Sequence, residues 1–253
     1  MGNIEIIGLE GLPEFDTSHD LPKLIYESAL SSAGGMKSGD VIVITQKIIS
    51  KVEGMVRDLL NVIPTPEALE LADKLGKDPR LVQMILEQSS EIIRTDFERG
   101  VLITESIHGF ICANAGIDSS NIEGDTKIAL LPRDSNVSAK QILKSLKNLS
   151  GIDSIGVIIS DTFGRPWRDG HVNFAIGCAG MSPYINYKDT VDAVGKVLKV
   201  TTIAVADELA AASELVTGKS LNIPAVLFRG VEFKSESAEP ESLLRPKEND
   251  LFR

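Results

Sequence analysis

The chain of 253 residues is 43% hydrophobic and 25% charged, a balance that excludes a disordered, collagen-like or coiled-coil protein. It is long enough to bury a core without disulfide or metal support. Its 26 basic residues against 36 acidic ones give a formal charge of −10; nucleic acid selects basic surfaces, so no nucleic-acid partner is expected, while a local basic pocket for phosphates remains compatible with that total.

In chain order, the N-terminus has neither a basic leader nor a long apolar run, so no signal peptide is expected. Residues 4–8 read as a strand and residues 21–32 carry helical spacing. Residues 40–45 (DVIVIT) form a short β-branched run of the kind buried in a sheet. Thr65-Pro66 and Asp78-Pro79 each set an N-cap before a proline, predicting helices over 65–77 and 78–95. Strand-like runs follow at 100–105, 110–113 and 127–131, and Ser138 reads as the cap of a helix reaching about residue 148. Residues 154–160 (SIGVIIS), 172–178 and 198–205 read as strands, 207–217 as an alanine-rich helix, and 223–231 as the last strand, before an irregular polar tail from Lys234.

No run approaches transmembrane length. Cys112 and Cys178 are too few for a disulfide framework and lack zinc-ligand spacing, so the expected compartment is a reducing cytoplasm. Strands and helices mix without the alternation of a doubly wound sheet. The expected fold is therefore α+β, with mixed sheets and packed helices in a single domain. A switch in polarity near residue 95 suggests two lobes, 1–95 plus 198–253 and 96–197.

Several segments carry residue types suited to chemistry. Lys51, in Ser50-Lys51-Val52-Glu53-Gly54, can meet a nucleotide phosphate as a point charge; a solvated lysine paired with Glu53 is the plainer alternative. In Asn114-Ala115-Gly116-Ile117-Asp118-Ser119-Ser120-Asn121, Gly116 permits a sharp turn. Asp118 there offers a hard oxygen ligand, and Asn121 both a donor and an acceptor. The same residues also suit an ordinary Asx-capped turn. Asp161 and Thr162 stand at the end of the strand 154–160, before a turn at Gly164, an arrangement suited to Mg²⁺ or Mn²⁺ shared with phosphates. Arg165 and Arg168 flank the only tryptophan, Trp167, and can reach phosphate or carboxylate oxygens; a helix cap with surface arginines is the alternative.

Asp207 and Glu208 lie in the first turn of the alanine-rich helix, where the dipole favours acids, and that structural reason suffices. Gly218-Lys219-Ser220 imitates the end of a P-loop, but Ser213 stands where its first glycine belongs and the triplet follows a helix. Lys219 is kept as a nucleotide contact only. No dinucleotide-binding or nucleophile-elbow glycine motif occurs, and His19, His108 and His171 lack metal-pair spacing.

Read in order, the motifs are E-G-L-P from Glu10, I-I-S-K-V-E-G from Ile48, N-A-G-I-D-S-S-N from Asn114, S-D-T-F-G-R-P-W-R-D-G from Ser160, A-D-E-L-A-A-A-S-E-L-V-T-G-K from Ala206 and I-P-A-V-L-F-R-G from Ile223. Together they resemble the coenzyme F420-0:L-glutamate ligase family, the γ-glutamyl ligases of deazaflavin cofactor maturation. The resemblance implies a GTP-dependent amide ligase that joins the amine of L-glutamate to the lactyl carboxylate of F420-0 through an acyl-phosphate, then adds a γ-linked glutamate. It also implies Mn²⁺ or Mg²⁺, help from K⁺, and an intertwined homodimer.

Position by position, the resemblance implies Asp118, Asp161 and Thr162 as metal ligands. It implies Lys51, Asn121, the turn of Leu12, Pro13, Glu14 and Phe15, and Gln46 as nucleotide contacts, Gln46 replacing a small hydroxyl residue. Lys219 stands where archaeal members often carry an acid, so it is not counted as a ligand. Arg165 and Arg168 are assigned from chemistry and position alone, to the carboxylates or phosphate of the acceptor and glutamate. Two alternatives remain: the same chemistry on a folate acceptor, and a nucleotide- or metal-binding module without catalysis.

Overall fold

The computed structural model describes residues 2–120, 122, 124–235 and 243–251. In chain order the elements are β1 (Glu5–Gly8), α1 (Leu21–Ala33), β2 (Val41–Thr45), α2 (Gln46–Val52), β3 (Val56–Asp58), α3 (Pro66–Leu75), α4 (Pro79–Glu87), β4 (Ser89–Asp96) and β5 (Val101–Ser106). They continue with β6 (Ile111–Ala113), β7 (Lys127–Ala129), α5 (Ser135–Ser150), β8 (Gly156–Arg165), β9 (Arg168–Ala179), β10 (Ile185–Asn186), β11 (Thr202–Ile203), α6 (Val205–Thr217) and β12 (Ala225–Arg229). The class is α+β, with one mixed sheet and several antiparallel ones. The chain divides into two compact units: Met1–Ile49, Asp134–Thr162 and Val172–Leu243 form the first, and Ser50–Arg133, Phe163–His171 and Leu244–Arg253 the second.

The first unit is built on a five-stranded sheet in the order β1-β12-β2-β8-β9. β12 runs antiparallel to both β1 and β2, while β2 and β8 are parallel. Val41, Ile42, Val43 and Ile44 are all buried, which is why this strand reads as a continuous β-branched run instead of alternating. α6 packs on the sheet through Val205, Ala206, Leu209 and Ala210, against Val41, Val43, Ile158, Val226 and Phe228. Where β9 passes the start of α5, Gly177 is required: a Cβ there would collide with the carbonyl of Ser135.

A buried ion pair ties the end of β12 to the connection between α1 and β2. Arg229 Nε and Nη2 donate to Asp40 Oδ1 and Oδ2 at 3.0 and 2.8 Å, and Nη1 and Nη2 also donate to the carbonyls of Ala33 and Gly35. Asp40 raises the pKa of the guanidinium still further. Every oxygen of the pair is satisfied, the condition under which burying charge is tolerable.

The second unit holds the sheet β4-β5-β6, the pair β3-β7, and helices α3 and α4. Thr65 and Asp78 cap these helices as expected, accepting from the N–H groups of Ala68 and Arg80. Their apolar faces, with Ala68, Ala72 and Val82, form one cluster; Leu75, Ile85, Leu102 and Ala115 form another.

Four sequence expectations are corrected here. The helix expected over 78–95 ends at Glu87, and residues 89–96 form β4, antiparallel to β5 from Ser89↔Ser106 to Asp96↔Val101. Adjacent Ile92 and Ile93 with Thr95 suit a pleat, and pairing overrides the helical continuation. α5 begins at Ser135, not Ser138, because Asp134 accepts from the N–H groups of Asn136 and Val137. The strand 198–205 shrinks to Thr202–Ile203, since α6 already starts at Val205. The strand 154–160 instead lengthens, running on to Arg165. Of the polar tail, residues 236–242 lie outside the described residues.

Candidate functional site

In the first unit, Asp161 and Thr162 lie inside β8, not at its end as expected; the turn that follows is at Pro166 and Trp167. Their exposure has another cause. β2 pairs with β8 up to Thr45↔Ser160 and then turns into α2 at Gln46. Asp161 is therefore the first residue of β8 beyond the end of its parallel neighbour, and burial gives way there to half-burial. Crevices beyond the carboxyl ends of parallel strands are where open sheets place ligands.

Asp161 Oδ1 accepts from the N–H of Thr162 at 2.8 Å. Thr162 Oγ1 lies 2.7 Å from Asn173 Oδ1 and 3.2 Å from Lys219 Nζ. Asn173 Nδ2 donates to Glu214 Oε2 at 3.2 Å, and that oxygen also accepts from Thr217 Oγ1 at 3.1 Å. Lys219 Nζ is 3.6 Å from Glu214 Oε1. Ser160, on the same side of the strand as Thr162 by alternation, is buried, and its hydroxyl has no hydrogen-bond partner among the described residues.

Asn173 and Glu214 were not anticipated. Asn173 had one signal, a polar residue in the otherwise apolar run 172–178, and Glu214 lay within the motif from Ala206 without being singled out. Asp207 is more than a dipole partner: its Oδ1 accepts from the N–H of Ala175 in β9, and burial pushes its pKa up.

Leu12 and Phe15 are buried, Pro13 half-buried and Glu14 exposed, in an irregular segment and not the expected turn. The Phe15 ring stands edge-on to His19, with centroids 5.6 Å apart. Gln46 is buried at the first position of α2.

In the second unit, Asp118 forms a two-way backbone bridge with Ala129, at 3.1 and 2.8 Å, and its Oδ1 accepts from the N–H of Ser120 at 2.7 Å. The Asx turn is thus present, on one carboxylate oxygen. Just upstream, Asn114, Ala115 and Gly116 are successive left-handed residues with φ of 54°, 54° and 74°. Such backbone at non-glycine residues costs roughly 1–3 kcal/mol each and gathers at functional sites. Asn121 lies outside the described residues.

Lys51, in the last turn of α2, is 8% exposed. The residue is thus largely removed from solvent, unlike the surface lysine of the plainer alternative. Glu53 accepts from the N–H of Arg133 at 3.2 Å. At the hairpin tip, Trp167 is 80% exposed with φ 58°. Arg165 is half-buried, its Nη2 donating to the carbonyl of Asp169 at 3.3 Å, and Arg168 is exposed.

Asp161, Thr162, Gln46 and Lys219 thus fall in the first unit with the segment 12–15, and Lys51, Asp118, Arg165 and Arg168 in the second. Among the described residues no group of three or more His, Cys, Asp or Glu is arranged to hold a metal ion. The donors at hand are separate hard oxygens. They suit an ion such as Mg²⁺ or Mn²⁺, which completes its shell with water and phosphate oxygens, and do not suit zinc. No described helix is long and apolar enough to cross a membrane.

Comparison with known proteins adds an independent line. A family model described as F420-0:Gamma-glutamyl ligase matches residues 11–230. The chain is 46% identical to a coenzyme F420:L-glutamate ligase of Methanothermobacter thermautotrophicus, with 99% of each protein covered. It is 43% identical to the coenzyme F420:L-glutamate ligase of Methanocaldococcus jannaschii, covering 99% of this chain and 97% of the relative. With that of Methanopyrus kandleri it shares 38% identity over the full length of both.

Proposed function

The chain belongs to the F420-0:gamma-glutamyl ligase family, and from that premise we propose that it is a GTP-dependent ligase joining L-glutamate to coenzyme F420-0. The end-to-end match to relatives named for this ligation carries the proposal.

Amide formation needs an activated carboxylate. The lactyl carboxylate of F420-0 attacks the γ-phosphorus of GTP, the bond to the bridging oxygen breaks, and GDP leaves an acyl-phosphate. The glutamate amine then attacks the acyl carbon and loses a proton as phosphate departs. A second cycle adds a γ-linked glutamate. Both steps ask the protein chiefly for positioning and charge neutralisation.

Asp118, Asp161 and Thr162 are the residues that would hold divalent metal ions, which when bound offset the charge of the phosphate oxygens. The hard-oxygen donors, and the orphaned Ser160 hydroxyl two residues before Thr162 in β8, support that role. Lys51 and Lys219 bring positive charge to the triphosphate, while Gln46, Asn121 and the segment of Leu12, Pro13, Glu14 and Phe15 contact the nucleotide. Arg165 and Arg168 receive the carboxylates of glutamate or the phosphate of the acceptor with their planar forks. K⁺ assists, and the working form is a cytoplasmic homodimer.

The test is an endpoint mass-spectrometric assay of the purified protein with GTP, Mn²⁺, K⁺, L-glutamate and either F420-0 or a reduced folate. Glutamyl additions to F420-0 are expected, and the product ladder counts them. Modification of folate alone would replace the acceptor. No product from either acceptor, with GTP bound, would overturn the catalytic reading.

A further inference from the structure

Around Thr162 the chemistry of the partners fixes the direction of every hydrogen bond. A carboxylate only accepts, so the amide nitrogen of Asn173 must face Glu214 Oε2, 3.2 Å away. The amide oxygen of Asn173 therefore faces Thr162 Oγ1 at 2.7 Å. An amide oxygen also only accepts, so the Thr162 hydroxyl must donate, and its hydrogen is committed inward. Lys219 Nζ, a donor only, takes one lone pair of the same oxygen at 3.2 Å. A hydroxyl has two lone pairs, so one remains. Asn173 is 3% exposed, which leaves solvent no part in setting its amide.

We propose that Asn173 and Glu214 are positioning residues that turn the Thr162 hydroxyl so that a lone pair, not a hydrogen, is presented to a divalent cation. The inference rests on the reading of Thr162 as a metal ligand. The negative charge of Glu214 sets the polarity of a chain two links long. Reversed, the chain would have Asn173 donating to Thr162 and would aim the hydroxyl hydrogen at the cation. Partners beyond the first ligands commonly orient them in this way. Glu214 lies 41 residues from Asn173 in sequence, so the device exists only once α6 has packed beside β9.

The test is Mn²⁺ binding to the intact protein without nucleotide, followed by the electron paramagnetic resonance signal of free Mn²⁺. It compares wild type, Thr162→Ala, Glu214→Gln and the double variant. Glutamine keeps the size of Glu214 but can donate, which lets the Asn173 amide flip. The Glu214 side chain is 36% exposed, and the metal-free melting temperature of Glu214→Gln is expected to stay near wild type. Its Mn²⁺ affinity is expected to fall about tenfold, with little further loss when Thr162 is already alanine. Lys219→Met should not reproduce the loss, since removing a neighbouring cation does not repel Mn²⁺.

Equal losses in both backgrounds would mean that Glu214 acts by charge alone, overturning the inference. Wild-type affinity in Glu214→Gln beside weakened Thr162→Ala would also overturn it and leave the ligand reading intact. Wild type that binds no Mn²⁺, or Thr162→Ala that binds as wild type, would remove Thr162 as a ligand and the inference with it.

Discussion

Thr162 and Asp118 are both half-buried oxygen donors beside a strand ladder, yet they are held in opposite ways. Thr162 is oriented by side chains: Asn173 from the adjoining strand β9 and, from far along the chain, Lys219 beyond α6, itself facing Glu214. Asp118 is oriented through the main chain, by a backbone bridge to Ala129, an Asx bond from the N–H of Ser120 and three left-handed residues shortly before it. A donor held by side chains can lose its aim while the fold survives. A donor held through the main chain shares its fate with the turn.

The largest effect should come from deleting charge without changing shape. Asp161→Asn is expected to cost about a thousandfold in turnover, consistent with losing several kcal/mol of charge stabilisation at a metal-assisted phosphoryl transfer. Circular dichroism should show an unaltered fold. Near-wild-type turnover across a full metal titration would remove Asp161 from the site.

On the side held through the main chain the prediction is in stability. Gly116→Ala places a side chain at φ 74°, with its Cβ 2.9 Å from Leu131 Cδ1. A loss of about 2 kcal/mol or more is expected by denaturant unfolding. Gly164→Ala, on the hairpin where nothing lies within 4 Å of a new Cβ, should change stability by less than about 0.5 kcal/mol. Equal costs at the two positions would erase the contrast.

The smallest effect distinguishes the units by pH. Burial raises the pKa of Asp207, so the folded state holds that proton more tightly than the unfolded chain. Stability should therefore fall as pH rises from 3.8 through the raised value, and the loss should persist above it. Asp207→Asn should flatten that part of the profile. Asp78 has the opposite sign: the hydrogen bond from Arg80 lowers its pKa. Its contribution is present above pH 3.8 and lost as pH falls through the lowered value. Melting curves across this range for Asp207→Asn and Asp78→Asn check both signs.

Local signals were legible before any folding. The buried run of β2, the capped starts of α3 and α4, and the turn chemistry around Gly116 are properties of adjacent residues, and the ordered motifs already pointed to the ligase family. Elements decided by distant partners were not legible. β4 looked like the rest of a helix until β5 paired with it, and β8 appeared to stop at Ser160 although only its neighbour β2 stops there. α5 was misplaced for a smaller reason, Asp134 outcompeting Ser138 as the cap.

The sequence by itself determined the residue types that could meet phosphates and a cation, because carboxylates, hydroxyls and lysines declare their chemistry alone. Only the tertiary structure decided how Thr162 is aimed, because a hydroxyl hydrogen turns freely until its partners fix it. Here the acceptor, Asn173, comes from the adjoining strand, and Glu214 and Lys219, which set and complete the arrangement, come from the end of α6 and just beyond it.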